Sequence, residues 1–139
     1  MRPAGSGLET DSTARGALFG ITRGTTGAHL ARATLEGIAY QVTDLLAAME
    51  KDSGRRISTL RVDGGACASD LLMNMQAASL GVKVERPRNI ETTALGAAMM
   101  AGLGIGLWSS TAELLEIREV DRVFNPDTTK KQRSERLKR

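Results

Sequence analysis

At 139 residues the chain is long enough for one domain with its own core, and with 3% aromatic residues and 15 glycines that core must come from Ala, Leu, Val, Ile and Met. A single Cys and a single His exclude an intrachain disulfide and an all-Cys/His zinc site, which fits a reducing cytosol. The net charge of +3 is uneven, because Lys130 to Arg139 carry six basic groups and one acid.

In chain order, Met1 to Ala14 contain Gly and Ser but no apolar signal-peptide core, and are expected to form a flexible leader. The alternation over Gly16 to Thr22 predicts a strand, ended by the turn residues Arg23 to Gly27. A long helix follows, with Leu30, Thr34, Ile38, Val42, Leu45 and Met49 on one stripe and Gly54 as its stop. Thr59 to Val62 is the next predicted strand, and Asp63-Gly64-Gly65 the turn after it. Asp70 to Leu80 is then a helix that buries Leu71, Leu72, Met75 and Ala78, with Gly81 as C-cap. Val82 to Glu85 is a strand that ends before Pro87.

A third helix is expected from Thr93 through Gly96 to Gly102, where each glycine costs about 1 kcal/mol relative to Ala and close packing must compensate. The spacing Gly102-x-Gly104-x-Gly106 ends a helix instead of following a strand, so it is not a dinucleotide loop. The uncharged run Ala94 to Trp108 is too short and too glycine-rich for a membrane span, and no membrane partner is expected. Ser110-x-x-Glu113 has the form of a capping box and starts a short helix. Glu119 to Phe124 reads as a last strand. The basic tail, 128–139, is expected to be a solvated, cut-off helix, since no aromatic residues or binding motif favour nucleic acid. Residues 15–127 form the expected domain, and alternating strands and helices with short links imply an α/β fold.

The stretch most able to carry chemistry is Leu60 to Gln76. Two glycines between a strand and a helix let a ligand approach the backbone and permit positive φ. The helix start then offers free amides and a partial positive charge, as nucleotide phosphates require. The same pattern also makes ordinary turns with no ligand. Gly64, Gly65 and Ser69 are the candidate nucleotide-binding residues, with Ser69 alternatively a plain N-cap. Asp63 is expected to fix the turn through nearby backbone amides, and Cys67 to be a small residue beside it. His29 is expected to be structural and Glu36 a salt-bridge partner.

Four blocks in fixed order carry a wider likeness: Gly16-x-Leu18-x-Gly20-Ile21 with His29-Leu30-x-x-Ala33-Thr34-Leu35-Glu36, Leu60-Arg61-Val62-Asp63-Gly64-Gly65-Ala66, and Glu91-Thr92-Thr93-Ala94-Leu95-Gly96-Ala97-Ala98. From Arg15 to Phe124 the chain resembles the C-terminal part of the FGGY family of carbohydrate kinases. The phrases RATLEGIAYQ and ERP…ETTALGAA resemble the members that phosphorylate glycerol. The resemblance implies a partial RNase H-like domain of the actin-like ATPase fold, a mixed sheet with flanking helices whose leading strands lie outside this sequence. Strand Gly16–Thr22 would then be a naked edge, and self-association is expected.

The likeness also implies ATP and Mg2+ as cofactors, with an adenine nucleotide contacting Gly65 and Ser69. Ser69 departs from the Asn usual in members acting on glycerol, and offers one hydroxyl donor in place of an amide. The phosphate-gripping hairpin, the catalytic Asp, the metal ligands and the polyol-binding residues have no counterpart here. No catalytic or metal residue is therefore assigned, and glycerol is expected as a partner only together with the missing first domain. Two readings stay open. The chain is the nucleotide-side lobe of a cytoplasmic glycerol-phosphorylating enzyme, inactive alone, or it is a non-catalytic nucleotide-binding or assembly module or a piece of another FGGY sugar kinase.

Overall fold

The computed structural model describes residues 15–137. The expected leader lies outside the described residues. The chain divides into two units after Ile57.

In the first unit, residues 15–22 form neither helix nor strand and belong to no sheet, with Gly20 at φ 76°, which corrects the strand expected at Gly16–Thr22. Alternation favours extended backbone, but a strand forms only when its amides and carbonyls find a ladder partner. A turn follows, in which the Thr25 amide donates to the Thr22 carbonyl at 3.0 Å and the Thr22 amide to the Thr25 hydroxyl at 2.9 Å. Helix α1 (Gly27–Ser53) is closed by Gly54 at φ 66°, the stop the pattern predicts. His29 is structural, as expected: its Nδ1 accepts the Thr26 amide at 3.1 Å and caps the helix. Glu36 pairs with Arg32 at 2.9 Å, one turn earlier on the surface.

The second unit is a three-stranded mixed sheet with flanking helices, an α/β fold as the element order implied. Its elements are β1 (Thr59–Arg61), a 3-10 turn (Gly65–Ala68), α2 (Asp70–Leu80), β2 (Lys83–Pro87), α3 (Thr92–Gly104), α4 (Thr111–Glu116), β3 (Val120–Phe124) and α5 (Lys130–Leu137). The strand order is β1-β2-β3, with β1 parallel and β3 antiparallel to the central β2. Leu60 lies opposite Val84, and Val84 opposite Phe124. Val84 is fully enclosed, and with Phe124, Leu72, Met73, Ala77 and Cys67 it makes the core. Pro87 sits inside β2, not beyond it. It occupies the strand's last position at a register shift, where the missing amide costs little.

Helix α2 has the predicted bounds but a different inner face. It buries Leu72, Met73, Gln76, Ala77 and Ala78, while Leu71 is 54% exposed and Met75 half-buried. Apolar residues nearly encircle this helix, so periodicity alone could not set its rotation. Its C-terminus is finished by the tail. Gly81 adopts φ 72°, the Thr128 hydroxyl donates to the Ala78 carbonyl at 2.6 Å, and the Arg133 guanidinium lies against Gly81 while donating to the Thr128 carbonyl at 2.6 Å. Thr129 and Gln132 cap α5, with the Thr129 amide donating to Oε1 of Gln132 at 2.8 Å. The first turn of the basic tail is thus docked, not freely solvated.

Among the α3 glycines the compensation by close packing is found at Gly102, where an added Cβ would run into the Trp108 ring; Gly96 and Gly104 face open space. At α4 the predicted capping box is shifted by one residue, because the Glu113 carboxylate accepts the amide and hydroxyl of Ser109, and the Ser110 side chain makes no cap bond. These two bonds hold the Glu113 carboxyl below the usual carboxylate range. The Gly102→Ala variant is expected to lose about 1–3 kcal/mol, because the indole must leave its seat. A lower urea midpoint together with red-shifted emission from Trp108, the chain's one tryptophan, checks this; an unchanged spectrum would contradict it.

Candidate functional site

The carboxyl end of β1 leads directly into Asp63-Gly64-Gly65. The Val62 amide donates to the Glu85 carbonyl at 3.1 Å, and the Gly64 amide to the Ile90 carbonyl at 2.9 Å, so both neighbouring segments of unit two hold the turn. Gly64 has φ 75° and ψ 172°, a conformation open to glycine and strained for any other residue. Gly65 needs no such freedom, but a Cβ there would meet nothing within 4 Å. Its backbone therefore faces open space, as close approach by a ligand requires.

The Gly64 carbonyl accepts the Cys67 amide at 3.1 Å and opens the 3-10 turn. The Gly65 and Ala66 amides consequently have no acceptor inside it. Ser69 then caps α2, its hydroxyl oxygen accepting the Leu72 amide at 3.3 Å. The hydroxyl hydrogen is left to donate elsewhere. Gly64, Gly65 and Ser69 are thus brought into one turn-and-helix unit. Asp63 behaves differently from expectation: its carboxylate accepts from the Thr92 hydroxyl and ties the turn to the start of α3.

A guanidinium that sequence reasoning missed organises this unit. Arg86 donates from Nη1 to Asp70 at 2.7 Å and to the Cys67 and Ala68 carbonyls at 3.1 and 3.3 Å, and from Nε to Asp121 at 2.8 Å. Arg122 bonds the other Asp70 oxygen, and the Arg86 and Arg122 guanidinium carbons lie 5.3 and 5.0 Å from the Phe124 ring centroid. Arg86 is 14% exposed, and its bonds to Asp121 and then Asp70 hold it still more firmly protonated. The signal was present in Glu85-Arg86-Pro87: strand alternation puts Arg86 on the same face as buried Val84, where a charge requires partners. Cys67 is buried beside these bonds, and desolvation pushes its thiol up despite the Arg86 charge, so it is a packing residue and not a nucleophile.

A cavity of about 720 Å³ lies at the carboxyl ends of β1 and β2, bounded by Val62, Asp63, Arg88, Leu95 and Met99 among others. Gly64, Gly65 and Ser69 do not line it. Among the described residues no group of three or more His, Cys, Asp or Glu side chains is placed to hold a metal, and no helix is long and apolar enough to cross a membrane.

Comparison with known proteins adds family evidence. Residues 8–105 match the C-terminal domain of the FGGY family of carbohydrate kinases. The glycerol kinase of Dechloromonas aromatica is 57% identical over 135 residues, 95% of this chain and 27% of that protein. The glycerol kinase of Rhodopirellula baltica is 55% identical over 140 residues, 99% of this chain and 26% of its own length. The chain therefore spans about a quarter of the curated relatives it matches. Among solved structures, the Plasmodium falciparum glycerol kinase with ADP superposes with a TM-score of 0.80 at 32% identity, over 91% of this chain and 26% of that one. A ligand-bound xylulose kinase from Lactobacillus acidophilus gives 0.75 at 25% identity, also over 91% and 26%.

Proposed function

Since this chain belongs to the FGGY family of carbohydrate kinases, as its C-terminal domain, we propose that it is the nucleotide-side lobe of an enzyme that transfers the γ-phosphoryl group of ATP to glycerol. The observation that carries the nucleotide role is the open Gly65 backbone, standing between a strand end and the capped start of α2. In this reading Gly64 shapes the turn, Gly65 admits the adenosine part of the nucleotide to backbone contact, and the free Ser69 hydroxyl hydrogen donates to it. Arg86 holds the unit in place from behind. The identity to two glycerol kinases, above 50% across nearly the whole chain, favours glycerol over other acceptors. The ADP in the Plasmodium falciparum structure favours an adenine nucleotide. The stretch 15–127 is the kinase portion, and its setting is the cytoplasm.

Phosphoryl transfer rests on positioning and on neutralising charge around the γ-phosphate. Mg2+ would supply that neutralisation, but no residue set described here fits it, and no step is assigned to it through this chain. With no triphosphate cradle, base or polyol site identified among the described residues, the chain is expected to form no glycerol 3-phosphate from Mg-ATP and glycerol above a no-protein control. Product formation that follows the purified chain through gel filtration would overturn that expectation. The exposed apolar side chains further favour self-association.

A further inference from the structure

Strand β3 carries an irregularity that serves the turn. Arg86 lies opposite Arg122 and Pro87 opposite Val120, so Asp121 is an extra residue in β3 with no register partner on β2. On a regular strand Asp121 and Arg122 would point to opposite faces, whereas a bulge lets consecutive side chains serve one cluster. They do so here: Asp121 takes Arg86, and Arg122 takes Asp70. The Arg86 guanidinium in turn divides its nitrogens between two tasks. Nε and Nη2 both reach Oδ2 of Asp121, at 2.8 and 2.7 Å, while Nη1 meets Asp70 and the Cys67 and Ala68 carbonyls. A guanidinium is planar, so fixing one edge fixes where the remaining nitrogen points.

We infer that Asp121 is a positioning residue of the nucleotide site, acting through Arg86 on the junction at Ser69. The inference rests on the nucleotide reading of Gly65 and Ser69. Ser69 stands between the Ala68 carbonyl and the Asp70 carboxylate, and Nη1 of Arg86 holds both, so one nitrogen clamps the two sides of the residue whose hydroxyl is to donate to the ligand. With Asp121 gone, the guanidinium keeps its Nη1 bonds and the Phe124 face but is free to turn about its long stem. The clamp then loosens, and Ser69 and the open Gly65 backbone no longer hold one arrangement before the ligand arrives. The Asp121 side chain is 45% exposed, and an ion pair at that exposure adds little to stability, so its effect falls on the site more than on the fold.

Asp121→Ala and Asp121→Asn, made in the full chain and titrated with adenosine and with ADP by NMR, test this. Asp121→Ala is expected to weaken both ligands at least about threefold, with a urea midpoint near that of the parent. Amide exchange at Cys67 and Ser69 should quicken in that variant before any ligand is added. Asp121→Asn keeps an oxygen that accepts from Nε and Nη2, and should return most of the affinity. The sign separates position from charge, because removing a negative charge by itself would strengthen binding of the anionic ADP and leave adenosine unaffected. That pattern overturns the inference, as do equal binding by the parent and Asp121→Ala, unchanged exchange at Cys67 and Ser69, or an Asp121→Asn variant no better than Asp121→Ala. A parent that binds neither ligand overturns the nucleotide reading, and this inference with it.

Discussion

Phe124→Ala is expected to be the most damaging single truncation in the second unit, at about 3–5 kcal/mol. That cost is a large part of what holds a domain of this size together, since whole stabilities run to about 5–15 kcal/mol. Phe124 is 2% exposed and faces Val84 across the β2–β3 ladder, so its loss leaves a void at the centre of the sheet. The damage should reach further than the void. Arg86 and Arg122 both lie over its ring, and both hold Asp70 at the start of α2. Without the ring, the guanidinium that binds the Cys67 and Ala68 carbonyls loses its platform, and the 3-10 turn should loosen. Thermal unfolding should shift down by tens of degrees at most and several at least. Amide exchange should quicken at Cys67 to Asp70 as well as in β3. A variant that melts lower but keeps slow exchange in the turn would separate the ring from the turn and refute the second half of this expectation.

The reach of Phe124 also explains what the sequence could not display. Bounds set by local chemistry were legible: Gly54 and Gly81 take the left-handed turns that end α1 and α2, and Ser69 caps α2 as its type and place imply. The family blocks were legible because they are contiguous words, and their match to the FGGY C-terminal domain covers residues 8–105. What stayed hidden was long-range. Arg86 meets Asp70 16 residues before it, and Arg122 meets the same carboxylate across 52 residues, distances over which no pattern of period two or 3.6 speaks. Asp63 finds Thr92, 29 residues on, where local reasoning offered only its neighbours' amides. Two further misses have the opposite cause, a local signal with no tertiary answer. Gly16–Thr22 has a strand's alternation but no ladder, and α2 has apolar residues on so many sides that only the sheet beneath it fixes which are buried.

The adjacent glycines of the turn should respond in opposite ways, and that contrast tests the proposed nucleotide site. Gly64 sits at φ 75°, so Gly64→Ala should cost about 1–2 kcal/mol of stability by forcing a Cβ into left-handed backbone. Gly65 carries no such constraint and has open space beside it, so Gly65→Val should leave the urea midpoint close to that of the parent chain. Its effect belongs to the ligand. Two methyl groups would then stand where the adenosine part must approach the backbone, and binding should vanish from a fold that remains intact. Binding by the parent should be weak, near the millimolar level of about −4 kcal/mol, because the contacts proposed are one backbone approach and one hydroxyl, both to the adenosine part. For the same reason adenosine and ADP should bind almost equally well. Ser69→Asn should strengthen both, since an amide both donates and accepts and still caps α2. Titrating parent, Gly65→Val and Ser69→Asn with each ligand, and following amide shifts from Asp63 to Asp70, decides the matter. Equal responses in all three chains, or shifts gathered around Leu95 and Met99 at the cavity instead, would leave Asp63-Gly64-Gly65 as a turn that shapes the fold and binds nothing.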